Sequence, residues 1–410
     1  VRVLLIHQNL PGQYRHLLAH LGAQSGVEVV GLGEMKRLQA NVLRPVSGVR
    51  FVGYQMPAQT TNQTPRLLPT TEDAVIRGRA VLAALLRLKR QGFIPDVVYA
   101  HPGWGETLFL RDVFPGIRLL SYCEFYYNGS GQDFGFDPEF PVTYSDVLAV
   151  RVQNMHHLMA LESADVGISP TLWQKSRFPQ IYWPRIDVVH DGIDSELVRP
   201  DTDASITLGS GTVLRAGDEI LTYVARNLEP YRGFHAFMRA LPEILAARPS
   251  ARVVVVGGDD VSYGKRLSGQ TYRQLYVDEI RGRVDLSRVH FLGRLAYRDF
   301  LRVLQVSRTH VYLTYPFVLS WSLMEAMSCE CLIVGSDTAP VREVIRDGSN
   351  GFLVDFFDRR ALIERVVDCL ASPGRNDDLR RRARADVISS FDLRKVCLPR
   401  QHDLIFGSPF

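Results

Sequence analysis

The stretch EILTYVARNLEPYRGFHAFMRALPEILAA, residues 219–247, decides how the rest of the chain is read. Residues 219–224 are strand formers. Residues 226–233 are a turn carrying two arginines and ending in Gly233, and residues 234–247 place apolar side chains at helical spacing, interrupted only by Pro242. A strand, a loop and a covering helix form the repeating unit of a parallel sheet. Downstream the unit recurs. Residues 252–256 read as a buried strand ending in Gly257 and Gly258, and residues 289–292 as a strand ending in Gly293. Residues 309–313 and 331–335 read as strands with a helix near 322–328 between them.

Upstream the same grammar predicts strands at 1–6, 27–32, 96–100, 118–122, 164–169 and 185–189. A helix is expected from about Gln13. Another spans 72–91, with Val75, Ile76, Leu82, Leu85 and Leu86 on its apolar face and Gly92 and Pro95 closing it. Residues 35–69 give no clear element. Between the two runs, residues 199–218 are rich in Pro, Asp, Thr, Ser and Gly with little hydrophobic pattern, which marks a boundary. The expected fold class is α/β, two Rossmann-like domains with parallel sheets facing a central cleft.

Size and composition agree. At 410 residues the chain suits two or three domains, and 46% hydrophobic with 22% charged residues excludes a disordered or fibrous protein. A net charge of +4 is too small to imply nucleic-acid binding. Five cysteines without a C-x-x-C read as reduced thiols, and the Cys329–Cys331 pair lacks the neighbours that would complete a metal site. No apolar run reaches membrane-spanning length. The expected location is the cytoplasm, with the inner face of the membrane as the place of any membrane contact. The basic residues Arg77, Arg79, Arg87, Lys89 and Arg90 read as a solvated helix face, with anionic membrane docking as the other reading.

In doubly wound sheets ligands bind at the carboxyl ends of strands. Arg226 and Arg232 follow a strand, where guanidinium forks suit a diphosphate; a surface pair bridging to Glu229 is the alternative. In residues 312–327 a strand runs through an apolar loop into a helix. Amides near Ser320, Trp321 and Ser322 can cradle a phosphate, and Glu325, one turn on, can accept ribose hydroxyls.

These residues, in this order, resemble the nucleotide-sugar glycosyltransferases of GT-B type, family 4 (group 1), a retaining family. Arg226 and Arg232 match its basic pair, with Arg232 where Lys is commoner. Glu325 matches its second carboxylate, and residues 336–344 and 347–354 match the following turn and glycine segments. The first carboxylate position is Phe317, which accepts no hydrogen bond. The resemblance implies an acceptor-side domain over 1–200, a nucleotide-sugar domain over 201–390, and a segment over 391–410 crossing back to the first. It implies a hexosyltransferase reaction with retention, no divalent metal and no cofactor. UDP-hexose is the favoured donor and GDP-mannose the next. The acceptor is a polysaccharide, a lipid-linked saccharide or a small molecule.

Donor-binding positions under this resemblance are Gly12, Arg226, Arg232, Gly293, Leu295, Ser320, Trp321, Ser322 and Glu325. His101, Arg226 and Arg232 are expected to be catalytic. Glu124 and Tyr126, beside the aromatic and acidic residues 134–141, are expected on the acceptor side, with an aromatic core cluster as the other reading. Two further functions share the fold: a sugar-nucleotide epimerase, and a non-catalytic nucleotide-sugar-binding partner protein.

Overall fold

Successive residues of the first strand go to opposite sides: Val3 and Leu5 join one apolar cluster, Leu4 and Ile6 another. A strand buried on both faces reads as a continuous apolar run, which is why this one was legible. The computed structural model describes residues 1–42, 45–57, 65 and 67–407. Its first unit comprises Val1–Gly192 and the chain from Leu393 onward. The sheet there is built from β1 (Arg2–Ile6), β2 (Glu28–Glu34), β3 (Val49–Tyr54), β4 (Val97–Ala100), β5 (Arg118–Tyr122), β6 (Val166–Ser169) and β7 (Ile186–Val188). The order is β3-β2-β1-β4-β5-β6-β7, and every neighbouring pair is parallel. One face packs on helices Arg15–Gly22 and Leu398–Phe406, through Leu17, Leu18, Leu21, Leu398 and Ile405. The other packs on helix Pro69–Arg90 through Val81, Leu85 and Leu88.

The buried face of Pro69–Arg90 differs from the expected one. It is Ala74, Gly78, Val81, Ala84, Leu85 and Leu88, whereas Val75 and Leu86 are each 43% exposed. The helix backbone lies close to the segment after β4: a Cβ added to Gly105 would stand 2.2 Å from the Ala74 carbonyl oxygen. Small residues make that approach possible, and counting large apolar residues overlooks them. The basic residues of this helix are also partly engaged. Arg77 donates to Glu34 and Tyr54 at 3.1 and 3.0 Å, Arg87 to the Gly53 carbonyl at 3.1 Å and Lys89 to the Val113 carbonyl at 2.7 Å. The face is therefore not uniformly solvated. Strand β3 and helix Met35–Asn41 fall in the stretch that gave no clear element. β3 is an edge strand whose Val49 and Phe51 pack on one cluster and Val52 and Tyr54 on the other, but Arg50 and Gly53 break its apolar run. Residues 43–44, 58–64 and 66 of that stretch lie outside the described residues.

The second unit is Ile193–Asp392. It begins ahead of the polar stretch because Ile193 and Val198 are already buried in its core. The polar stretch itself holds a hairpin, β8 (Ser205–Thr207) and β9 (Val213–Arg215), whose Leu208 and Leu214 pack with Val254 and Val303. The main sheet consists of β10 (Ile220–Asn227), β11 (Arg252–Gly258), β12 (Val289–Gly293), β13 (Thr309–Tyr312), β14 (Leu332–Ser336) and β15 (Phe352–Val354). Its order is β12-β11-β10-β13-β14-β15, again all parallel. Helix Phe234–Ala247 runs straight through Pro242, whose ring is buried with Leu241, Ile244 and Leu245. No helix among the described residues is long and apolar enough to cross a membrane.

Candidate active site

Strand order reverses direction between β1 and β4 in the first unit and between β10 and β13 in the second. The carboxyl ends at such switch points are where open α/β sheets receive ligands.

In the second unit, the register of β10 against β11 shifts between Val224 and Asn227. The irregularity turns Arg226 outward. Its guanidinium is exposed and has no hydrogen-bond or ion-pair partner among the described residues. Arg232 is its opposite. It closes the 3-10 turn Pro230–Arg232 and is 8% exposed. Its Nη1 donates to Thr314 Oγ1 and the Val318 carbonyl, each at 2.9 Å, and to the Tyr312 hydroxyl at 3.3 Å. The rings of Tyr263 and Phe317 roof it, with centroids 5.6 and 5.7 Å from the guanidinium carbon. The two arginines thus sit in different electrostatic settings, one open to an anion and one already solvated by protein.

Glu229 bridges to neither arginine. Its buried carboxylate accepts the amide hydrogens of Ser262, Tyr263 and Gly264 at 2.9, 3.1 and 2.9 Å. The reading of a surface ion pair is corrected accordingly: the carboxylate anchors the loop after β11. Asn227 Nδ2 adds a bond of 2.7 Å to Ser262 Oγ in the same loop.

Helix Trp321–Ser328 starts at Ser320, whose Oγ accepts from the Ser322 amide at 3.3 Å and pairs with Ser322 Oγ at 2.9 Å. The Ser320 amide donates to the Tyr312 hydroxyl at 2.9 Å. Tyr312 therefore joins Arg232 to this helix start. Trp321 packs against the second unit's core. Glu325 is buried, and its Oε1 accepts from the Tyr297 hydroxyl at 2.7 Å. Phe317, at the first carboxylate position, lies in an aromatic group with Tyr231 and Tyr263, at centroid distances of 5.6 and 4.7 Å. Gly293 ends β12 with φ +65 and open space at its Cβ position, while Leu295 packs on the cluster around Leu214 and Val254. Between them Arg294, which the sequence reading passed over, donates to Asn227 Oδ1 at 2.8 Å. It crosses the end of β11 because Gly258 has no side chain there: an added Cβ would stand 2.5 Å from Arg294 Nε.

In the first unit three strand ends carry a histidine: His7 after β1, His101 after β4 and His190 after β7. Each Nδ1 accepts the backbone N–H of the second residue on, Asn9, Gly103 or Gly192, at 2.8, 3.0 and 3.0 Å. That bond leaves the ring hydrogen on Nε2. His101 Nε2 accordingly donates to Glu124 Oε2 at 3.1 Å. Glu124 Oε1 accepts from Gln13 Nε2 at 2.8 Å. The His101 ring stacks on Trp104 with centroids 4.8 Å apart and meets His7 edge-on at 4.9 Å. Thus His101 and Glu124 come together, joined by Gln13, which the sequence reading did not single out. Tyr126 points instead toward Phe178 and the small cluster of Cys123, Leu161 and Ile186, where burial raises its hydroxyl above the usual range. Cys329 and Cys331 are buried free thiols, and burial pushes the Cys331 thiol up to about 12.

Gly12 has φ +46, and an added Cβ would stand 2.8 Å from His7 Cε1. Both the backbone angle and the ring contact oppose a side chain. Gly12→Ala is expected to lower stability by about 1–2 kcal/mol, read as a lower midpoint in urea unfolding.

Comparison with known proteins finds a glycosyltransferase family match in each of the two units. Residues 25–198 match the sequence family described as glycosyl transferase family 4 group, and residues 211–386 match glycosyl transferases group 1. A D-inositol 3-phosphate glycosyltransferase of Mycobacterium ulcerans is 27% identical over 174 residues, 42% of this chain and 35% of that protein. The matched stretch spans 47% of the length of one curated relative and 35% of another. Sucrose-phosphate synthase of Thermosynechococcus elongatus superposes with a TM-score of 0.76 at 18% identity, over 98% of this chain and 97% of that one. HepE of Anabaena, solved with UDP and glucose, gives 0.63 at 16% identity, over 98% and 99%. At these identities the two solved structures speak for the fold.

Proposed function

Because the chain belongs to the family 4, group 1 glycosyltransferases of GT-B fold, we propose that it moves a hexosyl group from a nucleoside diphosphate sugar to an acceptor hydroxyl, with retention and without a divalent metal. The observation that carries the reading is the Arg226 guanidinium, exposed at the carboxyl end of β10 beside the switch point and without a protein partner among the described residues. A fixed cation there favours the charge that builds on a departing diphosphate more than it favours the ground state. Arg232 contributes from behind. Its bonds to Tyr312, Thr314 and Val318 hold the loop that leads into helix Trp321–Ser328.

In this reading Glu325, steadied by Tyr297, accepts the ribose hydroxyls, and the second unit carries the donor. The first unit supplies the catalytic His101 and, hydrogen-bonded to it, the acceptor-side Glu124. His101 presents an Nε2 hydrogen and Glu124 a carboxylate. In the transfer the bond from the anomeric carbon to the diphosphate oxygen breaks. The acceptor oxygen bonds the same face, and its proton passes to the diphosphate. No enzymic nucleophile is required. HepE, solved with UDP and with UDP-glucose, supports testing UDP-hexose first; a GDP-mannose-dependent mannosyltransferase among the relatives supports GDP-mannose next.

A thermal-shift panel of UDP, GDP, ADP and dTDP with their common sugars, in EDTA, tests the donor. A ligand at 100 times its dissociation constant adds about 2.7 kcal/mol. One nucleotide is expected to stand out, and Glu325→Ala is expected to abolish most of its shift. A flat panel, or a shift only with added metal, overturns the metal-independent donor reading. Incubation of the donor with and without acceptor saccharides then separates transfer from epimerisation by the product formed, and from non-catalytic binding by its absence.

A further inference from the structure

The loop after β11 is built more firmly than a connection needs. Three consecutive amides, of Ser262, Tyr263 and Gly264, converge on one buried carboxylate, Glu229, and the Ser262 hydroxyl is tied to Asn227. Asp259 and Asp260, which lead into the loop, pair with Arg273 and Arg266 at 2.8 and 2.5 Å. The side chain these bonds present is Tyr263. It is 38% exposed, so one part of the ring meets solvent, while the rest lies on Phe317 at 4.7 Å, on Tyr231 at 5.9 Å and over the Arg232 guanidinium at 5.6 Å.

An aromatic ring held in a fixed orientation at a strand end is a stacking surface for the C–H face of a sugar. We propose that Tyr263, underpinned by Phe317 and Arg232, is a specificity-determining platform for the glycosyl group of the donor. The inference rests on the donor reading above. It deepens it by naming the group that recognises the sugar in a site whose neighbouring position, Phe317, offers no hydrogen-bond acceptor. The nucleoside is directed elsewhere. Glu325 and Tyr297 pair with one another, and Tyr297 opens the helix that follows β12, whereas Tyr263 and Phe317 meet on the side of β13. Recognition by a ring face reads shape and C–H area and not the pattern of hydroxyls. The platform therefore accepts sugars differing in one hydroxyl's configuration and discriminates against a donor with no ring to stack.

The test uses the full chain and isothermal titration with UDP and UDP-glucose, and with GDP and GDP-mannose. The readout is the ratio of the sugar nucleotide's dissociation constant to that of the bare nucleotide. Tyr263→Leu keeps bulk and removes the aromatic face; it is expected to raise the ratio roughly three- to tenfold while the bare nucleotide's affinity stays near wild type. Tyr263→Phe keeps the face and is expected to leave the ratio unchanged. Equal weakening of both ligands by Tyr263→Leu means the ring is only a cover for Arg232, and overturns the platform. An unchanged ratio in Tyr263→Leu overturns it too, with the donor reading left standing. Failure of all four ligands to bind the wild type overturns the donor reading and the platform with it.

Discussion

Arg226→Ala is expected to weaken nucleoside diphosphate binding about 100-fold while leaving the melting temperature unchanged, and Arg232→Met is expected to lower the melting temperature first. The contrast follows from the two environments. Arg226 is exposed and touches no partner among the described residues, so its removal breaks nothing in the free protein. What is lost is charge-assisted hydrogen bonding to the ligand, worth about 1.5–3 kcal/mol for a bond to a charged group, and about 100-fold corresponds to about 2.7 kcal/mol. Arg232 is buried, and its guanidinium satisfies Thr314 Oγ1 and the Val318 carbonyl. Methionine keeps the apolar stem but strands both acceptors, at a net cost of about 2 kcal/mol. Titration calorimetry with the nucleotide chosen by the panel, beside a thermal melt of each variant without ligand, separates the two effects. Wild-type affinity in Arg226→Ala would remove that guanidinium from the site.

The second large effect is on acid stability. His310 in β13 is fully buried; its Nδ1 meets Thr222 Oγ1 at 2.8 Å, and its Nε2 has no hydrogen-bond partner among the described residues. Burial disfavours the charged ring and lowers its pKa to about 3 from the ordinary 6.5. The unfolded chain therefore binds a proton in the window from 6.5 down to about 3 that the folded chain refuses. Stability is complete above pH 6.5 and falls as the pH drops through that window, by about 1.4 kcal/mol per unit at its steepest. The accumulated loss is on the order of 5 kcal/mol, a large part of a domain's stability. His190, lowered to about 4 by burial, acts in the same sense in the first unit over a shorter range. Urea unfolding from pH 7.5 to 4 should show this slope. His310→Leu should flatten it in the second unit, since Thr222 Oγ1 keeps its 2.6 Å bond to Ser307 Oγ. An unchanged slope in that variant would assign the acid limb to other groups.

The two-domain α/β architecture was legible because its central strands are buried on both faces and cannot avoid unbroken apolar runs. Most of the eleven strands read in this way keep their places within about two residues. β3 and the β8–β9 hairpin were not legible: Arg50 and Gly53 interrupt the short edge strand, and the three-residue strands of the surface hairpin are largely exposed, so their pattern dissolves into polar sequence. The phase of helix Pro69–Arg90 was misread for a related reason. Its buried face is chosen by close backbone approach at Ala74, Gly78 and Gly105, which residue hydrophobicity does not encode.

The sequence by itself determined the kind of protein: strand–loop–helix repetition set the sheets, and the order of Arg226, Arg232 and Glu325 with the turn segments after them set the family resemblance. Tertiary structure alone decided what each of those groups is free to do. A guanidinium reads the same at positions 226 and 232, yet packing exposes one and seals the other beneath Tyr263 and Phe317. Glu229, Gln13 and Arg294 carry no local signal, because their partners Tyr263, Glu124 and Asn227 lie 34, 111 and 67 residues away. Charge and hydrogen-bonding capacity belong to the residue. Whether they remain available to a ligand depends on which distant segments fold against it, and that is a property of contacts between strands ends far apart in the chain.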